Sequence, residues 1–132
     1  MGRGRRDYTW GVLQDSILPG RYSTNFLELG LASVSPGAGA NAITYVVPPG
    51  YKLFLTGVFL STPSPCINSC YVKKNGFIVV TSYFSVNYIF DFGSQGSYVY
   101  NEGEELQIQF NNKDNVQQLF YAQVIGVLEE LV

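Results

Sequence analysis

Cys70-Tyr71-Val72-Lys73-Lys74-Asn75-Gly76-Phe77-Ile78-Val79-Val80-Thr81 is the stretch that decides the fold class. Two runs rich in β-branched and aromatic residues, 70–74 and 77–81, flank Asn75-Gly76. That dipeptide accepts positive φ at both central positions of a type I′ turn, so the runs read as a two-residue antiparallel hairpin. Directly after it, residues 83–92 alternate, with Phe84, Val86, Tyr88, Phe90 and Phe92 on one side and Ser85, Asn87 and Asp91 among those on the other. A half-buried strand is expected there, with Tyr88 in the core and Tyr83, opposite the pattern, at an interface.

The same grammar extends in both directions. Upstream, residues 43–47 form a β-branched run that Pro48-Pro49-Gly50 stops, because proline has no donor for the ladder. Residues 52–61 are apolar on both faces, Leu53, Leu55 and Phe59 against Phe54, Val58 and Leu60, which predicts a central or an interface strand. Downstream, residues 98–100 lead through Asn101-Glu102-Gly103 into 105–110, where Leu106, Ile108 and Phe110 face inward and Gln107 and Gln109 outward. After a polar loop at 111–115, residues 117–128 are again apolar on both faces and read as crossing the middle of a sheet, with Gly126 permitting a bend or close packing. About eight strands at short, regular spacing predict an antiparallel sandwich or barrel.

Residues 1–41 read differently: a basic tip of Arg3, Arg5 and Arg6, an aromatic patch at Tyr8 and Trp10, a turn at Pro19-Gly20, then 33–41 rich in Ser, Gly, Ala and Pro. They are expected to form an extended N-terminal arm and linker, with Phe26, Leu27, Leu29 and Leu31 offering one strand at 26–31. The β-sandwich is expected over 42–132. A chain of 132 residues has room for one such domain.

The formal net charge is −2, with three arginines gathered at the N-terminus and most carboxylates far downstream. An acidic body argues against a nucleic-acid surface on the fold, which needs Lys and Arg spread over one face, and leaves only the tail to meet phosphate. No stretch approaches the roughly 20 apolar residues that span a bilayer, and no secretory signal is seen, so the chain reads as soluble with no membrane partner.

The absence of histidine removes the usual general base, the commonest zinc ligand and the standard nucleophile triads. A glycosidase pair among Asp91, Glu102, Glu104 and Glu105 needs two carboxylates about 5 to 9 Å apart. The competing reading of Glu102-Gly103-Glu104-Glu105 is a solvated turn opening a strand, and it is preferred. Asp114 and Asn112 could join the same carboxylates on calcium, although no spacing matches a calcium loop. Gly37-Ala38-Gly39 and Gly93-Ser94-Gln95-Gly96 lack the helix and lysine of a phosphate cradle. Cys66 and Cys70 bracket a three-residue segment, where either a disulfide worth about 2 kcal/mol or two reduced thiols fit. The expectation is a non-enzyme with no catalytic residue, no cofactor and no metal.

The order of features, Val47-Pro48-Pro49-Gly50-Tyr51-Lys52, an apolar strand, Lys74-Asn75-Gly76, Glu102-Gly103-Glu104-Glu105-Leu106 and a closing Gly126-Val127-Leu128-Glu129, resembles small jelly-roll proteins of viral particles of the decoration, turret and spike-tip type. The resemblance covers residues 42–130 and rests on turn chemistry and strand order. It implies two packed antiparallel sheets of jelly-roll type, self-association into trimers or pentamers, and an arm that reaches a neighbouring subunit or the major capsid protein. The chain is thus expected to be a structural virion-surface protein that decorates or projects from a capsid, anchored through Arg3, Arg5, Arg6, Tyr8 and Trp10. The alternative is a carbohydrate- or receptor-binding module in which exposed tyrosines and loop carboxylates hold a sugar.

Overall fold

Asn75 and Gly76 adopt φ of 53° and 82°, the left-handed pair that a type I′ turn demands, and they join two antiparallel strands as expected. The turn is pinned to a neighbouring strand from both sides: Asn75 N–H donates to the Glu105 carbonyl at 2.9 Å, and Glu105 N–H donates to Asn75 Oδ1 at 2.9 Å. The computed structural model describes residues 22–84, 86–92 and 98–131, with Tyr22 described by its backbone. Arg3, Arg5, Arg6, Tyr8 and Trp10, to which the sequence assigns anchoring, lie outside the described residues.

The described chain is built from strands β1 (Tyr22–Val34), β2 (Gly39–Val46), β3 (Tyr51–Ser61), β4 (Asn68–Lys74), β5 (Phe77–Ser82), β6 (Asn87–Asp91), β7 (Tyr98–Tyr100), β8 (Glu105–Asn112) and β9 (Gln118–Glu130). The first sheet has the order β1-β9-β3-β6, with β7 also on β3, and the second the order β2-β8-β4-β5. β6 pairs with residues 57–61 of β3 and β7 with 53–55, so the two are successive pieces along one edge. Counting them as one leaves eight strands, four to a sheet. Every connection except the β4–β5 hairpin passes from one sheet to the other, which is the wiring of a jelly roll.

The two strands apolar on both faces, β3 and β9, hold the interior positions of the first sheet, as their pattern predicts. Their inward residues Leu53, Leu55, Val58, Leu60, Phe120 and Val124 pack between the sheets against Val72, Leu106, Ile108 and Phe110 of the second. Phe110 and Phe120 stack across the layer at 4.8 Å between ring centres, and Phe84 meets both edge-on. Truncating a ring in such a cluster typically costs about 3–5 kcal/mol. Gly126 lies opposite Leu55, beside a bulge in β3, where a β-carbon would sit 2.3 Å from the Phe54 carbonyl oxygen. Close packing, the second of the two roles expected for it, is what requires glycine there.

Two expectations need correction. β1 runs from Tyr22 to Val34 and pairs with β9 along its whole length, so residues 22–41 contain ladder strands where an arm with a strand limited to 26–31 is expected. Ser33, Val34 and Gly39–Asn41, read as linker, are paired residues. Among the described residues of 83–92 a strand runs over Asn87–Asp91, and Tyr88, expected in the core, is 41% exposed. Tyr88 does face inward, sharing a register position with buried Leu60, but β6 ends the sheet and no further strand covers its ring. No helix among the described residues is long and apolar enough to cross a membrane.

Candidate functional site

Strand alternation gives the first sheet a second face, turned away from the core. On β1 the inward residues are Phe26, Ala32 and Val34, which leaves Leu27, Leu29 and Leu31 pointing out, each more than half exposed. Cross-strand register collects their neighbours. Leu29 shares a row with Gln123, Phe59 and Ile89, Leu31 with Tyr121, Ser61 and Asn87, and Leu27 with Ile125, Gly57 and, at the sheet edge, Asp91. The large side chains of the Leu29 and Leu31 rows surround a groove of about 520 Å³ lined, among the described residues, by no Asp, Glu, Lys or Arg.

Four strands about 4.8 Å apart and rows spanning five residues make this apolar face on the order of 350 Å². That is the size at which a contiguous exposed patch marks an interaction surface. A second apolar surface runs along the open side of the sandwich, where Phe77 and Ile78 of β5 and Tyr83 and Val86 of the β5–β6 connection are exposed. Tyr83, singled out from the sequence, is 74% exposed there. The β4–β5 register shifts by one residue between Val72 and Lys73, which leaves Val79 of β5 as the extra residue of a bulge.

Solved structures share this architecture. No protein-family model matches the chain, and no curated protein does. The chain is similar to the crystal structure of PirA at 9% identity and a TM-score of 0.52, over 78% of this chain and 93% of that one. A protein of Bacillus endospore appendages, which form disulfide-linked pili, matches at 6% identity and a TM-score of 0.56, over 92% of this chain and 100% of the other. The decameric BFDV capsid protein matches at 6% identity and a TM-score of 0.49, over 85% and 99%. At such identities the likeness to PirA and to the endospore-appendage protein is one of fold alone.

Within the jelly roll, three of the carboxylates considered for catalysis or calcium, Glu102, Glu104 and Asp114, serve the turns. Glu102 Oε1 accepts from Gly50 N–H at 3.0 Å, tying two connections together. Glu104 Oε1 accepts from Asn101 N–H at 2.6 Å and pairs with Lys74 Nζ at 3.4 Å. Asp114 accepts from the backbone of Ile67 and Asn115, while Asn112 is buried and donates to the Val34 and Val116 carbonyls. Among the described residues no group of three or more His, Cys, Asp or Glu gathers as a metal site.

Cys66 and Cys70 are both free thiols and both buried. Burial pushes the Cys70 thiol far above its ordinary range, so it is no nucleophile. Lys74 is held at one end of the sandwich, donating to the Val99 carbonyl at 3.0 Å beneath the rings of Tyr98 and Tyr100. Burial first, then Tyr98 and Glu104, raise the Tyr100 phenol, whose O–H donates to the Lys73 carbonyl at 3.0 Å. These groups act as structural ties. Sequence reasoning found the two-faced strands β3 and β9 and part of the third contributor, β1, but not that the outward leucines of β1 carry the most exposed part of the face.

Proposed function

We propose that this chain is a structural protein of a virion surface, which assembles with copies of itself and is held to the particle by its N-terminal segment. The observation that carries the reading is the uncovered apolar face of the β1-β9-β3-β6 sheet. A sheet face meant for water alternates to polar residues. This one presents Leu27, Leu29, Leu31 and Ile89 instead.

The occupant is a second copy of the chain, because the same molecule carries a complementary surface. The face supplies on the order of 350 Å², less than the roughly 800 Å² that each partner of a stable pair buries, so assembly needs every copy to make two such contacts. The open side with Phe77, Tyr83 and Val86 is the other apolar surface of comparable character. Face and side of a sandwich look out at roughly a right angle, and a head-to-tail contact between surfaces so inclined closes a ring of about three to five copies. A jelly roll alone carries no function, so the virion role rests on this self-association together with the basic, aromatic N-terminal residues Arg3, Arg5, Arg6, Tyr8 and Trp10 as the anchor. No catalytic step is part of the proposal.

The native mass by light scattering tests it. The full chain is expected as a discrete ring of about three to five copies, and Leu29→Glu on the face or Tyr83→Glu on the open side should each give a folded monomer. A full chain that stays monomeric at high concentration would overturn the proposal. Dissociation by Leu29→Glu alone would replace the head-to-tail ring with a two-fold, face-to-face dimer.

A further inference from the structure

The outer face of the second sheet has the opposite character. Register places Gly39, Asn111 and Ser69 in one row and Gln109 and Tyr71 in the next. Gln109 Nε2 donates to Asn111 Oδ1 at 2.7 Å, Asn111 Nδ2 donates to Ser69 Oγ at 3.2 Å, and Lys73 Nζ donates to Gln109 Oε1 at 2.5 Å. The two amides are fixed by this chain of bonds. Each still keeps one free N–H and one free lone pair on its oxygen, since an amide offers two of each.

Gly39 keeps the space above them open. A β-carbon at this position would lie 2.6 Å from Asn111 Oδ1 and 2.8 Å from Gln109 Nε2, so any other residue would press onto the amide pair. What results is a pocket of about 490 Å³ floored by Gln109 and Asn111, walled by Tyr71 and the 37–39 backbone, with Lys113 also lining it. No carboxylate lines it, in a chain whose net charge is negative.

We propose that this pocket binds a saccharide terminus bearing a carboxylate. Adjacent sugar hydroxyls each donate and accept, which matches amides that have one free donor and one free acceptor apiece. The C–H face of a pyranose is apolar and packs against an aromatic ring, the part Tyr71 plays. The ammonium group of Lys113, which lines the pocket, favours an acidic sugar through a charge-assisted bond, with the Lys73 charge nearby on Gln109 Oε1. The volume lies within the range of small-molecule sites, about 300 to 1,000 Å³. The site differs from the sugar reading made on the sequence, whose loop carboxylates are committed to turns.

The test titrates the full chain with 3′-sialyllactose and, in parallel, with lactose, followed by calorimetry or saturation-transfer NMR. The carboxylate-bearing trisaccharide is expected to bind at least about fivefold tighter than lactose at low salt. Gly39→Val, which fills the pocket, and Gln109→Leu, which removes one amide, should each weaken it about tenfold with the native mass unchanged. Equal binding of the two sugars, no binding of sialyllactose, or binding untouched by Gln109→Leu would overturn the proposal. Gln109 lies on the outer face of its sheet, so this variant decides the matter if Gly39→Val does not fold.

Discussion

Cys70 shows how much of this protein's chemistry is held neutral by burial. Its thiol sits above the ordinary value of 9.0 and the Tyr100 phenol above 10.0, burial being the leading cause for both. Below the lower of these values both groups are protonated in the folded and the unfolded chain, so what they contribute to stability is fully present. Above it the unfolded chain gives up its protons first, and stability falls as pH rises. Cys70→Val keeps an apolar group of similar size and removes the earlier onset. Urea midpoints measured across the alkaline range should begin to fall near pH 9 for the native chain and about one unit higher for the variant. Coincident profiles would mean that the Cys70 thiol ionises as readily folded as unfolded.

At the scale of elements, β1 sets the boundary of the fold. It is paired from Tyr22 onward, so a chain beginning at Tyr22 keeps every described strand. Removal of residues 1–21 should leave one cooperative unfolding transition while abolishing attachment to the particle, read by co-sedimentation. Loss of the transition would show that the removed segment belongs to the core. The jelly roll itself was legible wherever local chemistry fixes geometry: Asn75-Gly76 marks the hairpin, Pro48-Pro49-Gly50 ends a strand, and two-faced apolarity marks β3 and β9 as interior. β1 was only partly legible because its leucines face out and its inward set includes Glu28, Gly30 and Ala32, a pattern without a buried apolar stripe. Gly30, inside the expected strand, serves packing, since a β-carbon there would lie 2.0 Å from the Ala42 carbonyl oxygen of β2. Gln109 and Asn111 were visible as polar residues, but nothing local says that Tyr71 stands beside them. That neighbour is set by register between strands far apart in sequence.

At the scale of the whole molecule, the two outer faces divide the work: one sheet is apolar outside, the other polar. Burying about 350 Å² of apolar surface yields on the order of 9 kcal/mol, while association costs about 4 to 15 kcal/mol in lost freedom and ordering. The terms are close, so the assembled fraction should respond visibly to conditions that change the hydrophobic term alone. Apolar burial weakens on cooling and strengthens with sulfate, whereas contacts between charges weaken as simple salt screens them. The oligomer should therefore dissociate in the cold, recover on warming to room temperature, grow with ammonium sulfate and stay unchanged in moderate sodium chloride. Sedimentation velocity across these four conditions reads the outcome directly. Dissociation by sodium chloride without any effect of temperature would place the contact on the lysine-bearing sheet instead, and the apolar face would then have to be covered by something other than a second copy of this chain.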